Sequence, residues 1–221
     1  MTRGESRLAG GRFGWNWPLP TYALRPDVRV FGKHTKLAVE FPPRSRIMHS
    51  LVYRAATVDD VPALVDLVTS AYRGEASRAG WTSEAGILDG QRIEPALLRA
   101  DIERPRSQVL IAEHAGDLVA CAHIAVDDGA GYFGMFSVQP GLQGSGLGKR
   151  VLAEAERIVR DEWRCALMRM TVIDVRDELI AWYQRRGYRR TGITKPFPYG
   201  DERFGVPKRD DLRFEVLEKA L

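Results

Sequence analysis

The sequence predicts an α+β fold: a mixed, mostly antiparallel central sheet flanked by helices, in the order β-α-α-β-β-β-α-β-α-β-β. Three observations carry this. Residues 108–138 read as a meander of strands, residues 131–194 as strand–helix–strand crossovers, and the periodic pattern runs without a break from about residue 51 to 220. A chain of 221 residues is long enough for one such domain with an appendage and too short for two.

The elements follow in order. "LVYRAAT" (51–57) reads as a strand, and Thr57 with Asp60 makes a near capping box that opens a helix through "VPALVDLVTSAY". Residues 73–93 form a long polar connection, and "EPALLRADIER" (94–104) a second short helix. "QVLIAEHAGDLVACAHIAV" (108–126) is two strands about a His-Ala-Gly-Asp turn, a hairpin signal. "GYFGMFSV" (131–138) is a further strand. The helix after it carries Leu147, Val151, Leu152, Ala155, Ile158 and Val159 on one face. "ALMRMTVI" (166–173) is a strand and "DELIAWYQRR" (177–186) a helix stopped by Gly187. "YRRTGIT" (188–194) and "LRFEVLEKA" (212–220) are the last two strands.

Residues 1–47 stand apart as an irregular basic extension, rich in glycine and proline, ahead of a domain at 48–221. They hold nine Lys/Arg and three Asp/Glu, so the net charge of +4 becomes −2 over residues 48–221. The body therefore gives no general case for nucleic-acid binding. Three accounts of the extension compete: a disordered basic arm, an Arg-rich targeting peptide, or a start codon upstream of the true one, with Met48 as the beginning. The third agrees with the onset of periodicity just after Met48.

No run of about 18 apolar residues and no apolar signal region occur, so the expectation is a cytoplasmic protein without a membrane partner. Cys121 and Cys165 are the only cysteines, both within apolar runs, and the four histidines are scattered. Two core thiols and no metal are expected.

The chemistry begins at "VQPGLQGSGLGK", where residues 141–148 contain four glycines at the entrance of a helix. Free N–H groups at a helix start bind phosphates, and glycines let the anion approach the chain. A dinucleotide fingerprint starting at Gly144 and Gly146 needs glycine where Lys149 stands. A Walker loop ending at Gly148-Lys149 needs glycine where Gln143 stands and a hydroxyl where Arg150 stands.

What remains matches V-x-P-x-x-Q-G-x-G-x-G-K through Val138, Pro140, Gln143, Gly144, Gly146, Gly148 and Lys149. Some 35 residues on, Trp182, Tyr183, Gln184-Arg185-Arg186, Gly187 and Tyr188 give a second signature. With both, the chain resembles the GCN5-related N-acetyltransferase (GNAT) family over residues 51–220. Two segments, 73–93 and 195–212, are similar to those of a bacterial-type subgroup.

The resemblance implies acetyl-CoA as acetyl donor, its pyrophosphate held by Gln143, Gly144, Ser145, Gly146, Leu147, Gly148 and Lys149. It implies that the strand 131–138 is an exposed edge whose backbone at Phe136, Ser137 and Val138 pairs with the pantetheine arm. Lys149 and Arg150 stand equally as phosphate contacts or as solvated helix residues. Tyr183 would be the general acid toward the coenzyme sulfur. Attack by the amine would be direct, in keeping with the expectation that no Ser or Cys nucleophile lies beside a His base.

Arg176 stands where the family often carries Asn, so that residue's role is not carried over. Candidates for the general base are Glu75, His123 and Asp174, by strand or loop position only. For the acceptor, "YRGEASRAGWTSEAGILDGQRI" offers Arg73, Glu75 and Trp81, and "KPFPYGDERFGVPKRDDL" offers Asp201, Glu202 and Arg203. Acids would receive an amine and arginines a carboxylate, which suits a small-molecule amine or an amino-acid-like acceptor. A homodimer is compatible with the pattern. The alternative from another class is a non-catalytic acyl-CoA-binding or sensing domain, or a protein-interaction partner, of the same fold.

Overall fold

The computed structural model describes residues 51–73, 84–90, 92–201 and 205–221. The strands are β1 (Leu51–Ala55), β2 (Leu88–Asp89), β3 (Ser107–His114), β4 (Asp117–Asp127), β5 (Ala130–Val138), β6 (Leu167–Ile173), β7 (Arg189–Pro196), β8 (Val206–Pro207) and β9 (Arg213–Ala220). The α-helices are α1 (Val61–Tyr72), α2 (Pro95–Glu103), α3 (Leu147–Arg157) and α4 (Asp177–Gln184). Seven strands form one sheet in the order β1-β3-β4-β5-β6-β9-β7. Among these neighbours β5 and β6 run parallel and every other pair is antiparallel.

The sheet is covered on both faces, and its central strands accordingly carry continuous apolar runs such as Val109–Ala112 and Val119–Ala122, whose successive side chains go to opposite faces. Leu110, Ala112, Ala120, Ala122, Ile124 and Phe133 face α3 and α4, where Leu147, Val151, Leu152, Ala155 and Ile180 complete one core. The intervening residues Val109, Ile111 and Cys121 face α1 and α2 and pack with Leu64, Leu67, Val68, Ala71 and Leu98. Gly131 lets α3's continuation approach: a Cβ there would stand 2.2 Å from Cγ1 of Val159. Cys121 and Cys165 are buried free thiols, and burial pushes Cys121 up to about 12.

The start of α1 shows local chemistry directing the chain. Thr57 gives its N–H to Asp60 Oδ2 at 2.7 Å, while Arg54 forks the same carboxylate at 2.8 Å through both terminal nitrogens and also grips Glu113. A 3₁₀ turn, Val58–Asp60, comes first, so the α-helix itself begins at Val61.

Two connections are more ordered than their composition predicts. Within 73–93, β2 pairs antiparallel with β8, Leu88 opposite Pro207 and Asp89 opposite Val206. Strands of two residues are too short to leave a period in the sequence. Within 195–212, the Phe197 ring stacks on Phe214 at 5.4 Å, and the Tyr199 hydroxyl accepts from the Leu212 N–H at 2.7 Å. Among the described residues no helix is long and apolar enough to cross a membrane.

Candidate active site

The site lies where β5 and β6 part. Their register holds only at Gly131–Met168 and Tyr132–Arg169, while β4 stays paired with β5 as far as Val138. Met135 sits at φ +47° in β5, and the β4–β5 register shifts between Cys121 and His123, so β5 bends at a bulge. The expectation of an exposed edge at 131–138 is thereby corrected. The strand is interior, fifth of nine in the chain and fourth in the sheet; its segment Phe136–Val138 loses a partner on one side because the strands diverge.

The glycine turn follows directly. Gln143 Nε2 donates to the Val138 carbonyl at 3.1 Å, tying the turn to the end of β5. Ser145 Oγ donates to the Leu142 carbonyl at 2.6 Å. Gly144 and Gly146 take φ +76° and +91°, conformations that side chains resist. Leu147 is buried in the core, whereas Lys149 is exposed. The amides of Gly148 and Lys149 belong to the first turn of α3 and have no acceptor within the helix. A Cβ on Gly148 would stand 3.0 Å from Phe136 Cζ and 3.6 Å from Trp182 Cζ2, so a side chain would fill the cradle. Arg150 turns toward the Tyr53 hydroxyl and lowers its pKa, against a larger upward push from burial.

Opposite, α4 is braced on β5 by rings. Phe136 lies 6.0 Å from Trp182 and 5.3 Å from Phe133, and Tyr183 lies 5.1 Å from Trp182, 6.4 Å from Phe133 and 5.7 Å from Tyr188. Arg186 stacks 3.5 Å over Trp182. Tyr183 is 4% exposed. Burial, reinforced by Tyr72, holds its phenol far above the usual range against the opposing pull of Arg176 and Arg186. The group is therefore a neutral O–H at any working pH, a donor and not a base.

Residues that sequence patterns missed surround this point. Tyr72, the last residue of α1, donates its hydroxyl to the Phe136 carbonyl at 2.5 Å. Glu84, 4% exposed, accepts from Arg73 at 2.8 Å and from Arg176 at 3.0 Å, with Arg92 Nε at 3.5 Å. Burial alone would raise the Glu84 carboxyl, but Arg92, Arg176 and Arg73 override it and hold it below its ordinary value. Arg73, expected to reach an acceptor from a loop, is instead 8% exposed and bound to Glu84, with Nε also on the Gly90 carbonyl. No period or spacing marks such a cluster, because its members come from three separate connections.

Other expected residues fall elsewhere. Glu75, Trp81, Glu202 and Arg203 lie outside the described residues. Asp201 is part-exposed in a turn where its N–H meets the Pro198 carbonyl at 3.2 Å. Asp174 accepts from the Arg213 N–H and guanidinium at 3.2 and 3.3 Å. His123 is buried on the α1–α2 face, and the expectation that no hydroxyl nucleophile neighbours a histidine fails there: Ser107 Oγ lies 2.9 Å from Nε2 and Asp101 Oδ2 3.6 Å from Nδ1. The polarity is wrong for a nucleophile, because Ser107 donates to the Asp101 carbonyl at 2.6 Å and so accepts from Nε2. Among the described residues no group of three or more His, Cys, Asp or Glu could hold a metal ion.

Solved structures share this architecture. The IAA acetyltransferase from Bacillus cereus superposes with a TM-score of 0.55 at 16% identity, covering 78% of this chain and 100% of that one. A GNAT family acetyltransferase from Elizabethkingia anophelis with acetyl-CoA bound gives 0.57 at 12% identity, covering 78% and 99%. At such identities the likeness is one of fold. The family itself is given by sequence: the model of the Acetyltransferase (GNAT) family matches residues 67–188, and the chain belongs to that family. A curated relative, the IAA acetyltransferase of Azospirillum brasilense, is 32% identical over 104 residues, 46% of this chain. The match spans 65% of that relative's length.

Proposed function

We propose that residues 48–221 form an acetyl-CoA-dependent N-acetyltransferase that moves the acetyl group directly to the primary amine of a small molecule. The observation that carries the reading is a coincidence in space. Where β5 and β6 diverge, backbone at Phe136–Val138 that lacks a strand on the β6 side, a glycine turn whose first-turn amides have no acceptor within the helix and a neutral buried tyrosine meet.

The residues fit the coenzyme. Gly148 leaves a hollow that a Cβ would fill, the amides of Gly148 and Lys149 point from a helix start, and Phe136, Ser137 and Val138 offer strand backbone to an extended arm. Acetyl-CoA, when bound, supplies an activated thioester. The chain's part is to orient and to manage protons. Backbone at Phe136–Val138 fixes the arm and aims an N–H at the carbonyl oxygen. Tyr183 holds a proton for the departing sulfur. Its raised pKa does not forbid this, since burial raises a thiol likewise, as it does Cys121. The amine approaches from the Tyr72 side of β5.

The test is turnover of acetyl-CoA by the full chain with a panel of amines, following released thiol and acetylated product by mass. Tyr183→Phe should lower kcat by about 100-fold or more, with acetyl-CoA affinity little changed. Equal turnover by the variant removes Tyr183 from its role, and acetyl-CoA binding without transfer to any amine leaves the non-catalytic alternative standing.

A further inference from the structure

We propose that Glu84 is a positioning residue for the transfer: by dividing its carboxylate between the end of α1 and the start of α4, it sets the Tyr183 hydroxyl against the strand segment that holds the thioester arm. This rests on the acetyltransferase reading above and adds a residue that acts through Tyr183.

The first argument is connection. Glu84 Oε2 accepts from Arg73 Nη1 at 2.8 Å, and Oε1 accepts from Arg176 Nη1 at 3.0 Å. Arg73 caps the end of α1 and Arg176 caps the start of α4. The Glu84 N–H donates to the Tyr72 carbonyl at 3.2 Å, and its own carbonyl accepts from the Ile87 and Leu88 N–H groups at 2.9 and 2.8 Å. The backbone of Glu84 is thus fixed to α1 while its side chain reaches α4. The Arg176 backbone is fixed as well: its N–H donates to the Ile173 carbonyl at the end of β6, and its carbonyl accepts from Ile180, both at 3.0 Å.

The second argument is what the two helices carry. α1 packs on one face of the sheet and α4 on the other, in separate cores. Tyr72, the last residue of α1, holds the Phe136 carbonyl beside the arm, and Tyr183 lies about two turns beyond Arg176 on α4. The distance from the arm to the proton donor therefore depends on how the two layers are set against each other where β5 and β6 part. Glu84 joins the layers at that place, where the Arg176 guanidinium lies 6.0 Å from the Tyr72 ring.

The third argument is the kind of bond. Glu84 and Arg73 are 4% and 8% exposed, and the Arg176 side chain is 11% exposed. A buried ion pair adds little stability over apolar side chains of the same volume. Its charged hydrogen bonds, however, fix distance and direction, which apolar contacts do not. The connection has apolar anchorage of its own, since Leu88 packs with Ile173, Phe197 and Leu212. What the carboxylate adds is geometry, one oxygen for each helix.

The experiment is a double-mutant cycle on the full-length chain: wild type, Glu84→Gln, Tyr183→Phe and both together. It reads kcat and KM with an amine that the wild type accepts, acetyl-CoA affinity by calorimetry, and the melting temperature of each chain. Glu84→Gln keeps the volume and loses the charge. It should lower kcat about 10- to 100-fold, the loss expected when reacting groups shift by about 1 Å. Acetyl-CoA affinity should change little, because the pyrophosphate is assigned to the start of α3. In the Tyr183→Phe background the same substitution should change kcat by about twofold or less, since no proton donor is left to misplace. Glu84→Asp, which keeps the charge and draws the oxygens back by one methylene, should recover part of the loss. Should Glu84→Gln not fold, Arg176→Gln, which opens only the α4 half of the clasp, takes its place in the cycle with the same expectation. A wild-type kcat in Glu84→Gln overturns the proposal, as do losses that multiply in chains that melt cooperatively, for Glu84 would then act on stability alone. No turnover by the wild type with any amine refutes the enzyme reading, and this proposal falls with it; turnover with multiplying losses refutes the proposal alone.

Discussion

Tyr72 closes α1 by giving its hydroxyl proton to the Phe136 carbonyl at 2.5 Å, linking the helix that precedes the arginine cluster to the strand that borders the split. The bond fixes the peptide at the point where β6 no longer does. Tyr72→Phe keeps the ring under Arg92 but frees that carbonyl. Stability should fall by about 1 kcal/mol, while kcat/KM for acetyl-CoA should fall about tenfold through loss of a preset strand. Steady-state kinetics beside a urea titration separates the two, and unchanged kinetics would remove Tyr72 from the positioning of β5.

Two glycines of one turn should fail differently. At Gly148 the backbone is helical, but an added Cβ would press Phe136 Cζ at 3.0 Å and neighbour Trp182 at 3.6 Å. Gly148→Ala should therefore weaken acetyl-CoA binding about tenfold or more with little loss of stability, since alanine favours the helix by up to about 1 kcal/mol. At Gly144 nothing lies within 4 Å of a Cβ, yet φ is +76°. Gly144→Ala should cost roughly 1–2 kcal/mol in stability from backbone strain. Calorimetric titration and thermal melts on both variants check the contrast, and similar profiles would refute it.

The sheet was legible because its strands and helices carry sustained periods, and Leu147, Val151, Leu152 and Ala155 fall on the face the spacing predicts. The glycine turn and the Tyr183 helix were legible as local motifs. Three things were not. The parting of β5 from β6 is a relation between strands that are not neighbours in the chain, so no window contains it. β2 and β8 are two residues long, below any period. The Arg73–Glu84–Arg92–Arg176 cluster joins residues 103 positions apart at its extremes, and in sequence each is one more charged loop residue.

The closest approach in the sheet gives a stability test. A Cβ at Gly131 would stand 2.2 Å from Val159 Cγ1, in a core where little can move. Gly131→Ala should destabilise by about 1–3 kcal/mol. Val159→Ala alone should also destabilise, through the cavity it leaves. Together the two should cost less than their sum, since each relieves the other. Denaturant midpoints for the four chains close the cycle, and strict additivity would show that the contact is not the cause.

The last prediction concerns pH and the buried pair behind the sheet. Burial lowers His123 from 6.5 to about 4, with Arg104 assisting, and raises Asp101 from 3.8 to about 6 against Arg104. Between pH 6.5 and 4 the unfolded chain protonates His123 and the folded chain does not. Stability from this group therefore falls as pH drops, by up to about 1.4 kcal/mol per pH unit. Between pH 6 and 3.8 the folded chain protonates Asp101 and the unfolded chain does not, so stability from that group rises as pH drops. The slopes oppose over nearly the same window, each set by burial and by Arg104, at two side chains 3.6 Å apart. Asp101→Asn removes the rising slope and leaves the falling one. Between pH 6 and 4 the variant should lose stability more steeply than the wild type, by about 1 kcal/mol per pH unit. Urea midpoints at pH 4, 5 and 6 measure this, and parallel slopes for the two proteins would mean that burial does not raise Asp101 in the folded state.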